Sequence, residues 1–297
     1  MSGIVWLASY PKSGNTWFRV FLTNYLRDSD QPASINDLFL TPIASARYHF
    51  DEILAVDAGD FTADEYDCLR PDVYRGIAVR AVETPYMKVH DAYLPTLRGE
   101  PLLPAEATDR ALYFVRDPRD VAVSYAHHDG TTPADAIAAM NGPNNAFCSG
   151  VRGMAAQLRQ RVSTWSGHVE SWLDQTPFPV HAMRYEDMVD RPAETFAGAI
   201  SFLGLPLDDA RIQKALRFSS FEELQTQETK GGFREAPVGV DRFFRRGQPG
   251  SWADQLSVNE ASTLVSDHEV VMRRLGYLDS TRGGLQSSIA TGRSGSN

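Results

Sequence analysis

The chain has 297 residues, 42% of them hydrophobic and 23% charged, with a formal net charge of −9 at pH 7. That length supports a full core, as one α/β domain or two small ones, and the composition is that of an ordinary soluble globular protein. The acidic balance argues against a general nucleic-acid binder, which needs a basic face, and the two cysteines, Cys68 and Cys148, are too few for a disulfide framework or a zinc cluster.

No apolar run is long enough to span a membrane. The start, Met1-Ser2-Gly3-Ile4, lacks the basic and apolar regions of a signal peptide. With the sparse cysteines this sets a cytoplasmic location as the expectation.

The first informative stretch is Ile4 to Trp17. The six residues Ile4 to Ser9, five of them apolar, read as a short buried strand, ended by Tyr10-Pro11, since proline cannot donate to a sheet ladder. A small polar loop follows, Lys12-Ser13-Gly14-Asn15-Thr16, and residues 17–26 carry apolar positions at helical spacing. A strand, a small polar loop and a helix start offer backbone N–H groups and a helix dipole to an anion. Lys12 adds a charge, and Gly14 permits close approach to the backbone. The pattern is not Walker A, because Lys12 precedes the glycine instead of following it.

Residues 30–70 show several short helical patterns, with helix-start residues at Ser34 to Asp37 and at Thr62 to Glu65. Residues 85–91 read as a second strand, on which Lys88 and His90, two apart, share a face. Histidine there suits general-base work, because its pKa lies near neutrality. Residues 111–115 form a third strand, followed by Arg116-Asp117-Pro118-Arg119-Asp120 and a helix over 121–126. Asp117 and Pro118 fit a helix start, and Arg116 stands at a strand's carboxyl end, where open α/β sheets bind ligands.

Further on, residues 129–151 read as a loop with one short helix at 134–140. Residues 157–173 read as a helix with a core-facing stripe of Val162, Trp165, Val169 and Trp172. A strand at 180–188 leads into a polar turn, and helices follow at 192–203, 208–217 and 219–224. Residues 229–250 are glycine-rich and basic, a loop whose arginines are a candidate phosphate clamp. A final helix covers 257–275, and from 280 onward the composition predicts a disordered tail.

Five of these motifs, in order, resemble the cytosolic type of PAPS-dependent (3′-phosphoadenylylsulfate) sulfotransferases. Tyr10 to Trp17 is similar to that family's 5′-phosphosulfate loop, and Arg116 to Tyr125 to its 3′-phosphate segment. Lys88-Val89-His90 is similar to the strand end that carries its base, Arg184-Tyr185-Glu186-Asp187 to its Tyr-Glu-Asp turn, and Arg245 to Trp252 to its Arg-Lys-Gly-x-x-Gly-x-Trp loop. The resemblance implies a single α/β domain over residues 1–279, with a central parallel sheet flanked by helices in a P-loop-like sulfotransferase fold.

It implies transfer of a sulfuryl group from PAPS to a hydroxyl of a small molecule or natural product, leaving adenosine 3′,5′-bisphosphate (PAP), with no metal. By position, Lys12, Lys88 and His90 would be catalytic. Ser13, Gly14, Asn15 and Thr16 would hold the 5′-phosphate. Trp17, Tyr185 and Phe221 would surround adenine. Arg116, Ser124, Arg245, Arg246 and Gly247 would hold the 3′-phosphate, with Ser219 a weaker contact.

The chain departs from the pattern at Asn15, Asp117-Pro118 and Arg246, and Ala253 and Ser262 stand where the animal enzymes' dimer motif has lysine and glutamate. The oligomeric state stays open, and the departures bring the chain nearer to bacterial enzymes that sulfate natural products. Two other readings remain beside this one. A P-loop-like nucleotide kinase or NTPase would want its lysine after the glycine. A non-catalytic nucleotide-binding module would not need the pairing of Lys12 with His90.

Overall fold

The first strand, β1 (Ile4–Ser9), is buried along its whole length and alternates between two cores. Ile4, Trp6 and Ala8 pack into one apolar cluster and Val5 and Leu7 into another. A strand apolar on both faces belongs in the middle of a sheet covered on both sides. The computed structural model, which describes residues 3–55, 61–148, 156–237 and 242–278, has that arrangement. Strands β2 (Tyr86–Val89), β3 (Thr108–Val115) and β6 (Val180–Arg184) join β1 in a parallel sheet of order β2-β1-β3-β6. Two further short strands, β4 (Ala146–Phe147) and β5 (Gln160–Arg161), pair antiparallel outside that sheet.

Helices cover both faces of the sheet. They run α1 (Asn15–Arg27), α2 (Arg47–Leu54), α3 (Ala63–Arg80), α4 (Pro118–Asp129), α5 (Pro133–Met140) and α6 (Trp165–Asp174). They continue with α7 (Tyr185–Asp190), α8 (Pro192–Phe202), α9 (Asp209–Phe218), α10 (Phe221–Gly231) and α11 (Val258–Arg274). Residues of α3, α4, α6 and α11 fill the cluster on the Trp6 face, and residues of α1, α8 and α9 fill the one on the Leu7 face. Among the described residues no helix is long and apolar enough to cross a membrane.

Local chemistry explains most element boundaries. Thr62 caps α3 in a reciprocal box with Glu65, and Asp117 caps α4 by accepting from Arg119 N, with Pro118 in the first turn. Three expectations are corrected. Ser34 to Asp37 starts no helix; Ser34 O accepts from Asp37 N at 2.9 Å and closes a turn. The helix expected from 157 begins only at Trp165, because Gln160 and Arg161 are drawn into pairing with β4 and Thr164 caps the helix through Gly167 N. The polar turn after β6 is a short helix, α7. The stripe of Val162, Trp165, Val169 and Trp172 is fully buried in the core, as its spacing predicts. The expected disordered tail, and residues 149–151 of the expected loop, lie outside the described residues.

Candidate active site

All four parallel strands deliver site residues at their carboxyl ends, the face on which open α/β sheets bind ligands. β1 leads to the Lys12 loop, β2 to Lys88 and His90, β3 to Arg116 and β6 to Tyr185. They converge on one cavity of about 510 Å³. Fourteen of the sixteen residues predicted for the site line it; Ser13 and Ser219 do not. Ser219 Oγ is buried and donates to Ala215 O at 2.8 Å, within α9's last turn.

The loop after β1 is curled. Lys12 (φ 70) and Gly14 (φ 97) are both left-handed, a geometry that turns backbone N–H groups to one side. A Cβ at Gly14 would lie 2.7 Å from the Tyr185 ring, so this position requires glycine twice over. Gly14 also starts α1 without any side-chain cap, and no acidic residue stands in the first turn. The helix N–H groups are thus left for an anion. Asn15 acts on the strand: its Nδ2 donates to Leu7 O at 2.7 Å and to Ser9 Oγ at 3.2 Å.

Four buried polar atoms around this loop have no partner among the described residues: Ser13 Oγ, Asn15 Oδ1, Trp17 Nε1 and Arg116 Nε. Such atoms cost free energy unless a ligand or water meets them, so the loop is built for a polar guest.

His90 Nδ1 lies 2.9 Å from Ser9 O and 3.1 Å from Ser9 Oγ. A carbonyl oxygen can only accept, so Nδ1 carries the proton and Nε2 is the basic nitrogen. Burial, helped by the nearby Lys88 charge, holds the His90 pKa well below the usual histidine range, so the ring is neutral at neutral pH. Its backbone is fixed too. His168 Nε2 donates to His90 O at 3.1 Å, and Tyr113 OH donates to His168 Nδ1 at 2.8 Å. Lys12 is pushed down to about 7 by burial and then by the Lys88 and Arg116 charges. Its ammonium sits 4.1 Å from the Phe243 ring centroid. Lys88 Nζ donates to Glu235 at 3.0 Å.

On the other side of the cavity the Arg116 guanidinium lies 4.3 Å over the Tyr185 ring. The Tyr185 hydroxyl donates to Gly247 O at 2.8 Å, which ties the basic loop to the end of β6. Trp17 and Tyr185 meet edge to face at 6.0 Å, and Phe221 closes against Gly247. Glu228 of α10 accepts from Phe243 N at 2.6 Å and Phe244 N at 3.0 Å, which places Arg245 and Arg246 at the cavity rim.

Several residues that shape the site were missed in the sequence. Asp120 accepts from Gly250 N at 2.7 Å and Trp252 N at 3.0 Å, anchoring the far end of the basic loop. Glu186 accepts from Asp117 N at 3.0 Å and joins the start of α7 to the start of α4. Arg19 and Glu235 stand beside Lys88. The available signal was a lone arginine inside the apolar run of the first helix and an acid, one of two with Asp241, in a basic loop.

Residues 3–276 match the family model described as the sulfotransferase domain. The chain is 26% identical over 266 residues to Cytosolic sulfotransferase 1 of Arabidopsis thaliana, covering 84% of this chain and 73% of that one. It is 24% identical over 279 residues to Sulfotransferase 1A1 of Canis lupus familiaris, covering 91% and 83%. Its fold is similar to that of mouse sulfotransferase SULT7A1 complexed with PAP, with TM-score 0.57 at 19% identity over 91% of this chain and 84% of that one. It is also similar to retinol dehydratase in complex with androsterone and PAP, with TM-score 0.56 at 20% identity over 91% and 80%. With a family model matched over nearly its whole described length, the chain belongs to the sulfotransferase family and is a PAPS-dependent sulfotransferase.

Proposed function

We propose that the cavity seats PAPS across the Lys12 loop and the Arg116 and Arg245–Arg246 cations, and that the acceptor is a hydroxyl of a small molecule or natural product. The observation that carries this reading is the convergence of Lys12, Lys88, a neutral His90 and these arginines on one cavity. PAPS is the sulfuryl donor, a substrate whose leaving group is a phosphate.

In this reading the α1 N–H groups and Lys12 meet the phosphate on which charge builds during transfer, while Ser13 stays outside the cavity lining. Lys12, half-titrated near neutrality when alone, becomes fully charged beside that anion. Trp17, Tyr185 and Phe221 form the aromatic enclosure for adenine, while Arg116, Ser124, Arg245, Arg246 and the Gly247 turn face the 3′-phosphate on the ribose. Gly14 and Thr16 complete the phosphate cradle, and Asn15 supports it through β1.

His90 Nε2 accepts the proton of the acceptor hydroxyl as the new S–O bond forms and the bond to the leaving phosphate breaks. Lys88 meets the oxygens of the sulfuryl group in flight. A cytoplasmic setting belongs to the same proposal and is supported by the name of the plant relative.

The test is His90→Ala, assayed with a panel of phenols and alcohols and radiolabelled PAPS. Transfer is expected to fall by roughly 10²- to 10⁴-fold, the range for a lost general base, while PAP binding stays within a few-fold. A variant that kept full transfer would overturn the assignment of His90 as base.

A further inference from the structure

The scheme above leaves two charged residues of the cavity, Arg234 and Glu235, without a role, and Glu235 is the acid of the two. Glu235 stands in the segment that leads from α10 towards the Arg245–Arg246 pair, and its side chain is 20% exposed. One oxygen, Oε2, accepts from two cations at once, Arg19 Nη1 at 2.7 Å and Lys88 Nζ at 3.0 Å. Arg19, on α1, is 1% exposed, and its Nε is spent on Thr41, at 3.0 Å to the carbonyl and 3.2 Å to the hydroxyl. A carboxylate in the wall of a site for an anionic donor is unfavourable there, unless it acts on the cations beside it.

The charged and titratable groups around Lys88 come from every neighbouring element. They are Glu235 from the segment after α10, Arg19 from α1, Lys12 from the loop after β1, His90 from the end of β2 and His128 from α4. Of these five, Glu235 is the acid. Without it a buried ammonium would face Arg19 and Lys12 uncompensated, and burial beside like charge favours loss of its proton.

We propose that Glu235 is a positioning residue of the transfer reaction: held by Arg19, it fixes the Lys88 ammonium at the cavity wall and keeps it charged. The proposal rests on the reading of Lys88 given above. Burial and Arg19 draw the Lys88 pKa down, and the Glu235 carboxylate draws it back. Burial works to raise the Glu235 pKa, yet Lys88 and Arg19 together hold it well below the usual carboxylate range, so it is anionic wherever the enzyme works. An ammonium has three donors. One goes to Glu235 and two remain for sulfuryl oxygens, so positioning does not block the proposed use.

The first test needs no transfer. Acetylation of the free protein by acetic anhydride is followed from pH 7 to 11, and the peptide bearing Lys88 is read by mass spectrometry in wild type and in Glu235→Gln. Losing an opposite charge at this distance moves a pKa by about one to three units, so the Lys88 midpoint falls by that much. An unmoved Lys88 midpoint in folded Glu235→Gln overturns the proposal. This outcome is independent of acceptor identity and of whether His90 is the base.

The second test is the pH profile of kcat at saturating PAPS, where the bound phosphates keep Lys12 charged. Glu235→Gln is expected to move the alkaline limb to lower pH. Lys88→Arg, whose guanidinium cannot lose its proton, is expected to abolish that limb. A rate lowered equally at every pH in Glu235→Gln overturns the proposal. So does an alkaline limb left in place by Lys88→Arg, a variant that decides the question even where Glu235→Gln folds poorly.

Discussion

Directly after His90 the chain places a fully buried ion pair, and removing half of it should cost more than any surface change. Arg70 of α3 and Asp91 are 1% and 0% exposed. Arg70 Nη1 donates to Asp91 Oδ1 at 3.0 Å and Nη2 to Oδ2 at 2.6 Å, a bidentate fork. The remaining donors reach Tyr74 OH, at 3.0 and 2.9 Å, and Arg159 O at 2.9 Å. Asp91→Asn keeps the shape but turns one acceptor into a donor facing a buried guanidinium.

Breaking a buried pair on one side costs about 3–5 kcal/mol. Asp67 at 3.6 Å from Arg70 Nη1 remains as partial compensation, which points to the lower end, about 3 kcal/mol. For a chain of this size that is a fall in melting temperature on the order of 10 °C. Urea unfolding and calorimetry measure both. Removing both charges, by Arg70→Met with Asp91→Leu, should recover most of the loss, since apolar isosteres replace buried pairs at little cost. A loss below about 1 kcal/mol in Asp91→Asn would refute the reasoning, because it would mean that the pair is hydrated or compensated elsewhere.

Other consequences can be checked as simply. Because Lys12 lies near 7 in the free site and a bound phosphate raises its pKa, PAP binding should take up a proton above about pH 7. Affinity should then weaken as pH rises, and calorimetry in buffers of different ionisation enthalpy should show uptake in wild type and its loss in Lys12→Met. Gly247→Ala puts a methyl 2.6 Å from the Phe221 ring at φ 64, so the ring or the loop must shift. At about 1–2 kcal/mol for the backbone conformation alone, PAP affinity should drop roughly tenfold, with near-native melting. Asp120→Asn weakens the acceptor for Gly250 N and Trp252 N, and limited proteolysis should then cut the basic loop faster than in wild type while the sheet stays protected.

The parallel sheet and the loops that gather at its carboxyl edge were legible because their causes are local. β1 announces itself as an uninterrupted apolar run, and Pro11, Gly14 and Pro118 carry backbone geometry in their own chemistry. The stripe of Trp165 and Trp172 was legible as core for the same reason, but the start of its helix was not. Gln160 and Arg161 read as helical until a partner 14 residues earlier in the chain, Ala146–Phe147, claims their backbone. Pairing across sequence overrides propensity in this way.

Glu235 and Asp120 were illegible for a related reason. Each acts on a residue far away in sequence, and an acid in a basic loop says nothing about which cation it meets. The rest of the cavity wall is the extreme case. His128, Phe147 and Gln157 come to the cavity from separate elements, and no spacing rule links them.

The account stands or falls on what the cavity prefers to hold. Isothermal titration of the protein with PAP, and in parallel with ATP plus magnesium, tests it most directly. The predicted result is tight binding of PAP and weak binding of ATP, with Arg116→Ala and Arg245→Ala each erasing most of the difference. Tighter binding of ATP than of PAP would contradict the assignment of these cations to a 3′-phosphate and return the Lys12 loop to the nucleotide-kinase reading.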